Sequence, residues 1–497
     1  MSSRGKKAKL NIVSVLILEV VTVISGLVLP RLILTDFGSA TNGLVNSVHQ
    51  FITCVTLLRA GVGGVTRAAL YKPLAKGNTG EISGIVSATT KFMRKLTVQY
   101  TVGLFVFAIV YPFIVKESFG WFYSFSLVLI LGLSTFFDCC FGITYQFLLQ
   151  ADQKRYVISF LQIATVFANV IVAVVLIRMG CSIHIVKLGS SLVYSVKPLI
   201  LWLYVRKKYK LNWKAKPDNL AIKQRWDAFS HQLAAFVNNN TDVMLITLLA
   251  DITMVSVFSV YNMVTASIRT LIASLTTGVE GYFGDVIAKK EELKKKFEIF
   301  ETATFFVSSW VFLCVGFLIT PFVKVYTSGV NDADYNQFWF GIVMSLAQFV
   351  YCIKLPYNIL VDVSGHFKQT KSFAMAEAII NIVLSVILIK FMGITGVAIG
   401  TLIAGIVRTV HFVIYSNKNF LPGCIKTFVK HLICCVCGVG VSIIVLGFIP
   451  QITIINFVDW VFYAIIVAVV CLLSLAICYL VFFGKILISV IKVLKKK

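Results

Sequence analysis

Long apolar stretches separated by short polar connections occupy most of the chain. Crossing a bilayer as a helix takes about 20 predominantly apolar residues. Stretches of that kind fall near 11–34, 42–66, 96–115, 123–148, 156–177, 182–205 and 230–250. They continue near 253–279, 300–325, 337–361, 373–392, 394–415, 430–449 and 457–483. The second and seventh are rich in Asn, Thr and Gly. No stretch alternates as a barrel strand would, so the spans are predicted to be helices, which satisfy their own backbone hydrogen bonds in lipid. The pattern predicts an all-α polytopic membrane protein of about 14 transmembrane helices. The first span is long and has no cleavage-type motif before it, so it reads as a permanent helix and not a signal peptide. No connection is large enough for a separate soluble domain; the longest on the side opposite the N-terminus, 326–336, is Tyr-Thr-Ser-Gly-Val-Asn-Asp-Ala-Asp-Tyr-Asn.

The pattern also repeats. Asn169-Val-Ile-Val-Ala-Val-Val-Leu-Ile-Arg178 matches Asn381-Ile-Val-Leu-Ser-Val-Ile-Leu-Ile-Lys390, and at the same offset Cys140 meets Cys352, Tyr145 meets Tyr357 and Leu148 meets Leu360. Met179-Gly180 matches Met392-Gly393, Leu188-Gly189-Ser190 matches Ile399-Gly400-Thr401, and Lys197 falls on Arg408. Six spans lie within the offset, so each matched helix keeps its direction, as in parallel repeats about an axis along the membrane normal. The expected organisation is an N-terminal lobe over 1–205, a cytoplasmic linker over 206–226, a C-terminal lobe over 227–416, and spans 13 and 14 with a basic tail over 417–497. Two such lobes are expected to enclose a central site opening to alternate sides.

Composition sharpens this reading. Hydrophobic residues make up 58% of the chain and charged residues 13%, against about 25% charged in soluble proteins. The net charge is +25, which in a soluble protein would point to nucleic acid. Here 35 of the 46 Lys and Arg fall in the connections on the side of the N-terminus, 6 on the other side and 5 within spans. That is the positive-inside rule, and it accounts for the charge without nucleic acid. Both termini are expected in the cytoplasm. The twelve cysteines sit mostly in apolar runs, where Cys behaves as a small hydrophobe. Cys434-Cys-Val-Cys437 lacks the four closed ligands of a structural zinc site.

Ionisable residues inside spans are costly and are functional candidates. The basic ones are Arg59, Lys197, Arg269, Lys354 and Arg408, on spans 2, 6, 8, 10 and 12, all in the inner part of the span. The acidic candidates are Glu19, Asp138, Asp242, Glu280, Asp362 and Glu377. Some of the cations can snorkel to the surface or pair with these carboxylates. Their excess in a cytoplasm-facing cavity suits an anionic ligand, phosphate above all, since Arg can bind two oxygens at once. The six histidines show no triad or metal spacing. Gly61-Val-Gly-Gly64 lacks the Lys-Ser/Thr of a phosphate loop and reads as close helix packing or a bend. Pro30, Pro198 and Pro356 are expected to kink their spans. No catalytic set and no cofactor motif is present, and no enzyme activity is expected.

Three stretches carry a likeness: Leu57-Leu-Arg-Ala-Gly-Val-Gly-Gly-Val-Thr-Arg-Ala-Ala69; Asn239-Asn-Thr-Asp242-Val-Met-Leu-Ile246 with Val257-Phe-Ser-Val-Tyr261; and Gly365-His-Phe-Lys-Gln-Thr370 through Glu377 and Asn381 to Gly393-Ile-Thr-Gly-Val-Ala-Ile-Gly400. With this topology the chain resembles the Wzx-type polysaccharide flippases of the multidrug/oligosaccharidyl-lipid/polysaccharide exporter superfamily. The resemblance implies two lobes of helices and transfer of an undecaprenyl-pyrophosphate-linked oligosaccharide across the bacterial inner membrane for surface polysaccharide biosynthesis. The implied partners are that lipid-linked substrate, membrane lipid, a polysaccharide polymerase and glycosyltransferases. Related lipid II flippases use arginines in the first lobe, where Arg59 and Arg31 stand here without a denser basic cluster. The competing readings are a lipid II flippase, a drug/ion antiporter of the same fold, and a membrane ligase or polymerase. A cavity for cationic drugs wants carboxylates, and a ligase or polymerase is expected to carry a long outside loop.

Overall fold

The computed structural model describes residues 3–56, 60–115, 118–209, 211–213, 215–218, 240–277, 279–288, 293–449 and 453–495. The described chain is helical. In order the helices are α1 (Ser3–Thr56), α2 (Ala60–Lys76), α3 (Thr79–Ile114), α4 (Trp121–Ala151), α5 (Arg155–Arg178), α6 (Ile183–Lys208) and α7 (Asn240–Leu249). Then come α8 (Ile252–Thr277), α9 (Glu280–Ala288), α10 (Leu293–Tyr326), α11 (Phe338–Val363), α12 (Phe367–Asn419), α13 (Cys424–Gly447) and α14 (Phe457–Lys495). Among the described residues, eleven apolar segments are long enough to cross a membrane. The protein is an all-α polytopic membrane protein.

Two of those segments hold two predicted spans each. Gly38 (φ 81°, ψ 172°) divides α1, and Gly393 (φ 55°, ψ −138°) divides α12. Both conformations are open to glycine and strained for other residues. The α12 register shows what the second break does. Ser385 bonds to Val397 O, Thr401 to Asn381, and Arg408 to Thr370 O. As one arm's numbers fall the other's rise, so the arms run antiparallel as a hairpin. Pro30, Pro198 and Pro356 lie inside α1, α6 and α11, which continue through them. The chain reverses or breaks at glycines, while α1, α6 and α11 continue as helices through their prolines, because a proline removes one hydrogen bond whereas a glycine at positive φ can turn the chain.

The chain forms two compact units, Met1–Ser256 and Val257–Lys497. In the first unit, Asn11 bonds to Gln153 O and Tyr156 N, while Leu29, Leu32 and Phe37 pack with Ala173 and Ile177. The first arm of α1 is thus parallel to α5. His184 meets Tyr123 O and Ser191 meets Ile130 O, so α4 and α6 are parallel. Thr66 meets Thr89 while Val62 packs with Met93, so α2 and α3 are antiparallel. These directions are the ones the alternating spans require. At one end Tyr209 donates to Asp152 and accepts from Lys154, Asn212 N donates to Ser83, and Asp218 N to Gly84 O. The described parts of three basic connections thus share one end. Burial, and then the Asp152 carboxylate, push the Tyr209 hydroxyl above its ordinary pKa. Helix α7, which the sequence pattern assigns to the C-terminal lobe, hydrogen-bonds to α1: Thr247 to Ser47 at 2.9 Å, and Gln50 to Asn240.

In the second unit, Trp310 Nε1 donates to Ala468 O and Trp460 Nε1 to Leu318 O, which makes α10 and α14 antiparallel. The rings of Phe305, Phe428, His431, Tyr479 and Phe483 join α10, α13 and α14. In lipid, apolar side chains gain little by leaving one apolar phase for another, so close packing and polar contacts hold helices together. The small residues agree: Gly63 sits against the Phe147 ring and Gly400 against Ser385 and the backbone of Asn381. The outer faces are apolar, as in Val98, Val102, Phe105, Ile109 and Phe113 along α3. This stripe inverts the pattern of a helix in water.

Candidate functional site

Three of the five in-span cations come together inside the second unit. Helix α11 sets Tyr351 and Lys354 three residues apart, on one helix face. The Arg269 guanidinium of α8 lies 4.9 Å from the Tyr351 ring centre, and the Lys354 ammonium 5.1 Å from the same ring. Lys354 Nζ donates to Glu377 Oε1 at 3.0 Å, with both side chains 12% exposed. Arg408 Nε stands 3.7 Å from Glu377 Oε2, and its Nη1 donates to Thr370 O at 2.9 Å. Its guanidinium lies 4.1 Å from the Phe412 ring centre. The hairpin of α12 makes this possible: Glu377 is on its first arm and Arg408 on its second.

The electrostatics of the patch are uneven. Glu377 serves two cations, and Asp362 lies within Coulombic reach of Arg408 while accepting from Asn358 at 2.7 Å. Arg269 makes no ion pair among the described residues; its partner is an aromatic face, a contact worth about 0.5–2 kcal/mol depending on desolvation. Three cations against two carboxylates leave a net positive patch part-way along apolar helices. A charge in such a place needs a partner or water. An anion with several oxygens can meet Arg269 and exchange with Glu377 at Lys354 and Arg408.

The other expected residues lie elsewhere. Lys197 is in the first unit, where its Nζ donates to Gln162 Oε1 at 2.8 Å across α5 and α6. It borders a cavity of about 390 Å³. Arg59 lies outside the described residues. The duplicated segments keep equivalent local forms. Gly180 and Gly393 both have positive φ, Asn169 and Asn381 both bond across their hairpins, and Lys197 and Arg408 each reach back to the preceding helix.

Two polar features carry little signal in the sequence. Tyr351 bears no charge, and only its position three residues before Lys354 points to it. Glu301 stands at the edge of its span and is fully buried, accepting a hydrogen bond from the Tyr357 hydroxyl. A further, apolar feature is a cavity of about 810 Å³ lined from α10, α11, α13 and α14, by residues such as Phe312, Leu346, Val439 and Ile443.

Neither a protein-family model nor a curated protein matches the chain by sequence. Solved structures do match in fold. The lipid II flippase MurJ in an inward closed conformation superposes with a TM-score of 0.74 at 16% identity, over 96% of this chain and 99% of its own. An inward-facing multidrug resistance MATE family transporter of the MOP superfamily gives 0.59 at 11% identity, over 80% and 94%. The MATE multidrug transporter DinF-BH gives 0.61 at 16%, over 84% and 96%. The chain therefore has the fold of these transporters.

Proposed function

We propose that the protein is a flippase that moves an undecaprenyl-pyrophosphate-linked oligosaccharide from the inner to the outer leaflet of a bacterial cytoplasmic membrane by alternating access, for surface polysaccharide biosynthesis. The observation that carries this reading is the gathering of Arg269, Lys354 and Arg408 around Tyr351 and Glu377. A pyrophosphate cannot cross about 30 Å of hydrocarbon unaided. Cations in a hydrated site replace the lost solvation, with Arg269 as the first contact. Arg59 and Lys197 remain assigned to the headgroup path on sequence grounds. Glu377 neutralises Lys354 and Arg408 when no ligand is bound. The ligand has to displace it, so binding stays weak enough for release. The polyprenyl tail stays in apolar surroundings beside α13 and α14, and the 810 Å³ cavity suits it. No covalent step is involved. Both termini are assigned to the cytoplasm from the distribution of Lys and Arg.

Lipid II is the second reading; its pyrophosphate presents the same chemistry, and the likeness to the MurJ fold favours it. A cationic drug is a poor match for a patch with excess positive charge. The test is complementation of a flippase-null strain. Arg269→Ala should abolish transport at normal protein level and membrane insertion, and Arg269→Lys should restore part of it. Full complementation by Arg269→Ala would sink the reading.

A further inference from the structure

The 390 Å³ cavity lies wholly within the first unit, among α1, α4, α5 and α6. Its volume is within the usual range of small-ligand sites, about 300–1,000 Å³. Its lining is unusual for a membrane helix bundle. Lys187 and Lys197 border it from α6, about 15 Å apart along the helix at 1.5 Å per residue. Asp138 borders it from α4, on a π-helical turn over Asp138–Gly142. Such turns add a residue to the helix and re-aim side chains. Gln146 Nε2 holds Asp138 Oδ1 at 2.8 Å. The remaining polar groups are the His49 imidazole from α1, within Coulombic reach of Lys187, and hydroxyls and amides such as Ser190, Tyr194 and Asn169.

Two groups here lack what their chemistry demands. Lys187, counted among the outer-side cations, lines the cavity near the outer end of α6 and has no hydrogen bond or ion pair among the described residues, and an ammonium inside protein needs an anion or water. The Oδ1 of Asn169 is buried with no hydrogen-bond partner, and the residue is 3% exposed. The first calls for an anion and the second for a donor. A neutral sugar would leave Lys187 uncompensated. A phosphodiester or pyrophosphate diester, ionised and without a P–OH group, would leave Asn169 Oδ1 without a donor. A sugar bearing a carboxylate meets both needs, with its carboxylate at a lysine and its hydroxyls at Asn169 and Asp138.

We propose that this cavity binds an acidic sugar, so that the transported oligosaccharide contains a uronic acid or similar carboxylated residue. The proposal rests on the flippase reading and names the substrate class within it. It assigns Lys187, which lies toward the outer end of its span, a role in recognition.

The test uses the full-length protein in detergent and saturation-transfer NMR with methyl glucuronide, methyl glucoside and dimethyl phosphate. The glucuronide should bind at least tenfold more tightly than the glucoside, and dimethyl phosphate should not displace it at equal concentration. Lys187→Gln should weaken glucuronide binding at least tenfold, Lys187→Arg should restore it, and Lys390→Gln on the exposed face of α12 should change nothing. Equal binding of both glycosides, displacement by dimethyl phosphate, or unaltered binding by Lys187→Gln would each overturn the proposal. A transport assay in vesicles separates the two readings. Lipid-linked neutral and glucuronate-containing oligosaccharides flipped at equal rates would remove the acidic-sugar site and leave the flippase. Glucuronide binding without flipping of either lipid would remove the flippase and leave the site.

Discussion

Glu377 decides how the cation patch behaves before any ligand arrives. Its two oxygens face Lys354 and Arg408, and all three side chains are about nine-tenths buried. Removing one partner of such a group strands the other charges, a larger effect than the net worth of the pair. Glu377→Gln should therefore have two measurable consequences. Thermal unfolding in detergent should show a loss of roughly 1–3 kcal/mol, the scale of a lost charge-assisted hydrogen bond. Affinity for inorganic pyrophosphate should rise, since no carboxylate then competes for the cations. Unchanged or weaker pyrophosphate binding by the folded variant would contradict the exchange of ligand with Glu377. Glu377 and Lys354 are both legible as candidates, because charge inside an apolar run stands out. Their pairing is not, since 23 residues and a helix connection separate them.

The hairpin of α12 is the element that brings this site together. Its arms approach closely because Gly400 leaves room: a Cβ there would stand 2.9 Å from the backbone nitrogen of Ser385. Backbone cannot give way as a flexible side chain can. Gly400→Val should force the arms apart and cost about 1–3 kcal/mol, typical of overpacking. It should also lower transport, because Arg408 would move from Glu377. A melting temperature and transport rate both equal to the parent's would contradict this account of the hairpin. The break at Gly393 is visible in the sequence only as a seam between two apolar runs. What distinguishes it is a backbone conformation, and hydropathy carries no information about φ.

For the whole molecule the strongest expectation is sidedness. In the first unit the α4–α6 and α2–α3 pairs run in the directions that alternating spans require, and the described basic connections share one end. In a cysteine-depleted background, Lys207→Cys should react with an impermeant thiol reagent only after the cytoplasmic side is opened. Asp332→Cys should react in intact cells. Reversal of this pattern would overturn the assigned orientation.

Helical class and the apolar segments that carry it were legible in the sequence alone, because lipid forces each apolar run to satisfy its own backbone and each polar connection to remain in water. The internal likeness was likewise legible, as matched Asn, Gly and basic positions at a nearly constant offset. Which charges meet was a matter for tertiary structure. Arg269, Lys354 and Arg408 converge and Lys197 does not, although all four looked alike along the chain. The reason is physical: a span's hydropathy records that a residue faces apolar surroundings on average. It does not record which neighbouring helix, at which rotation, presents the carboxylate, the ring or the cavity that the charge requires.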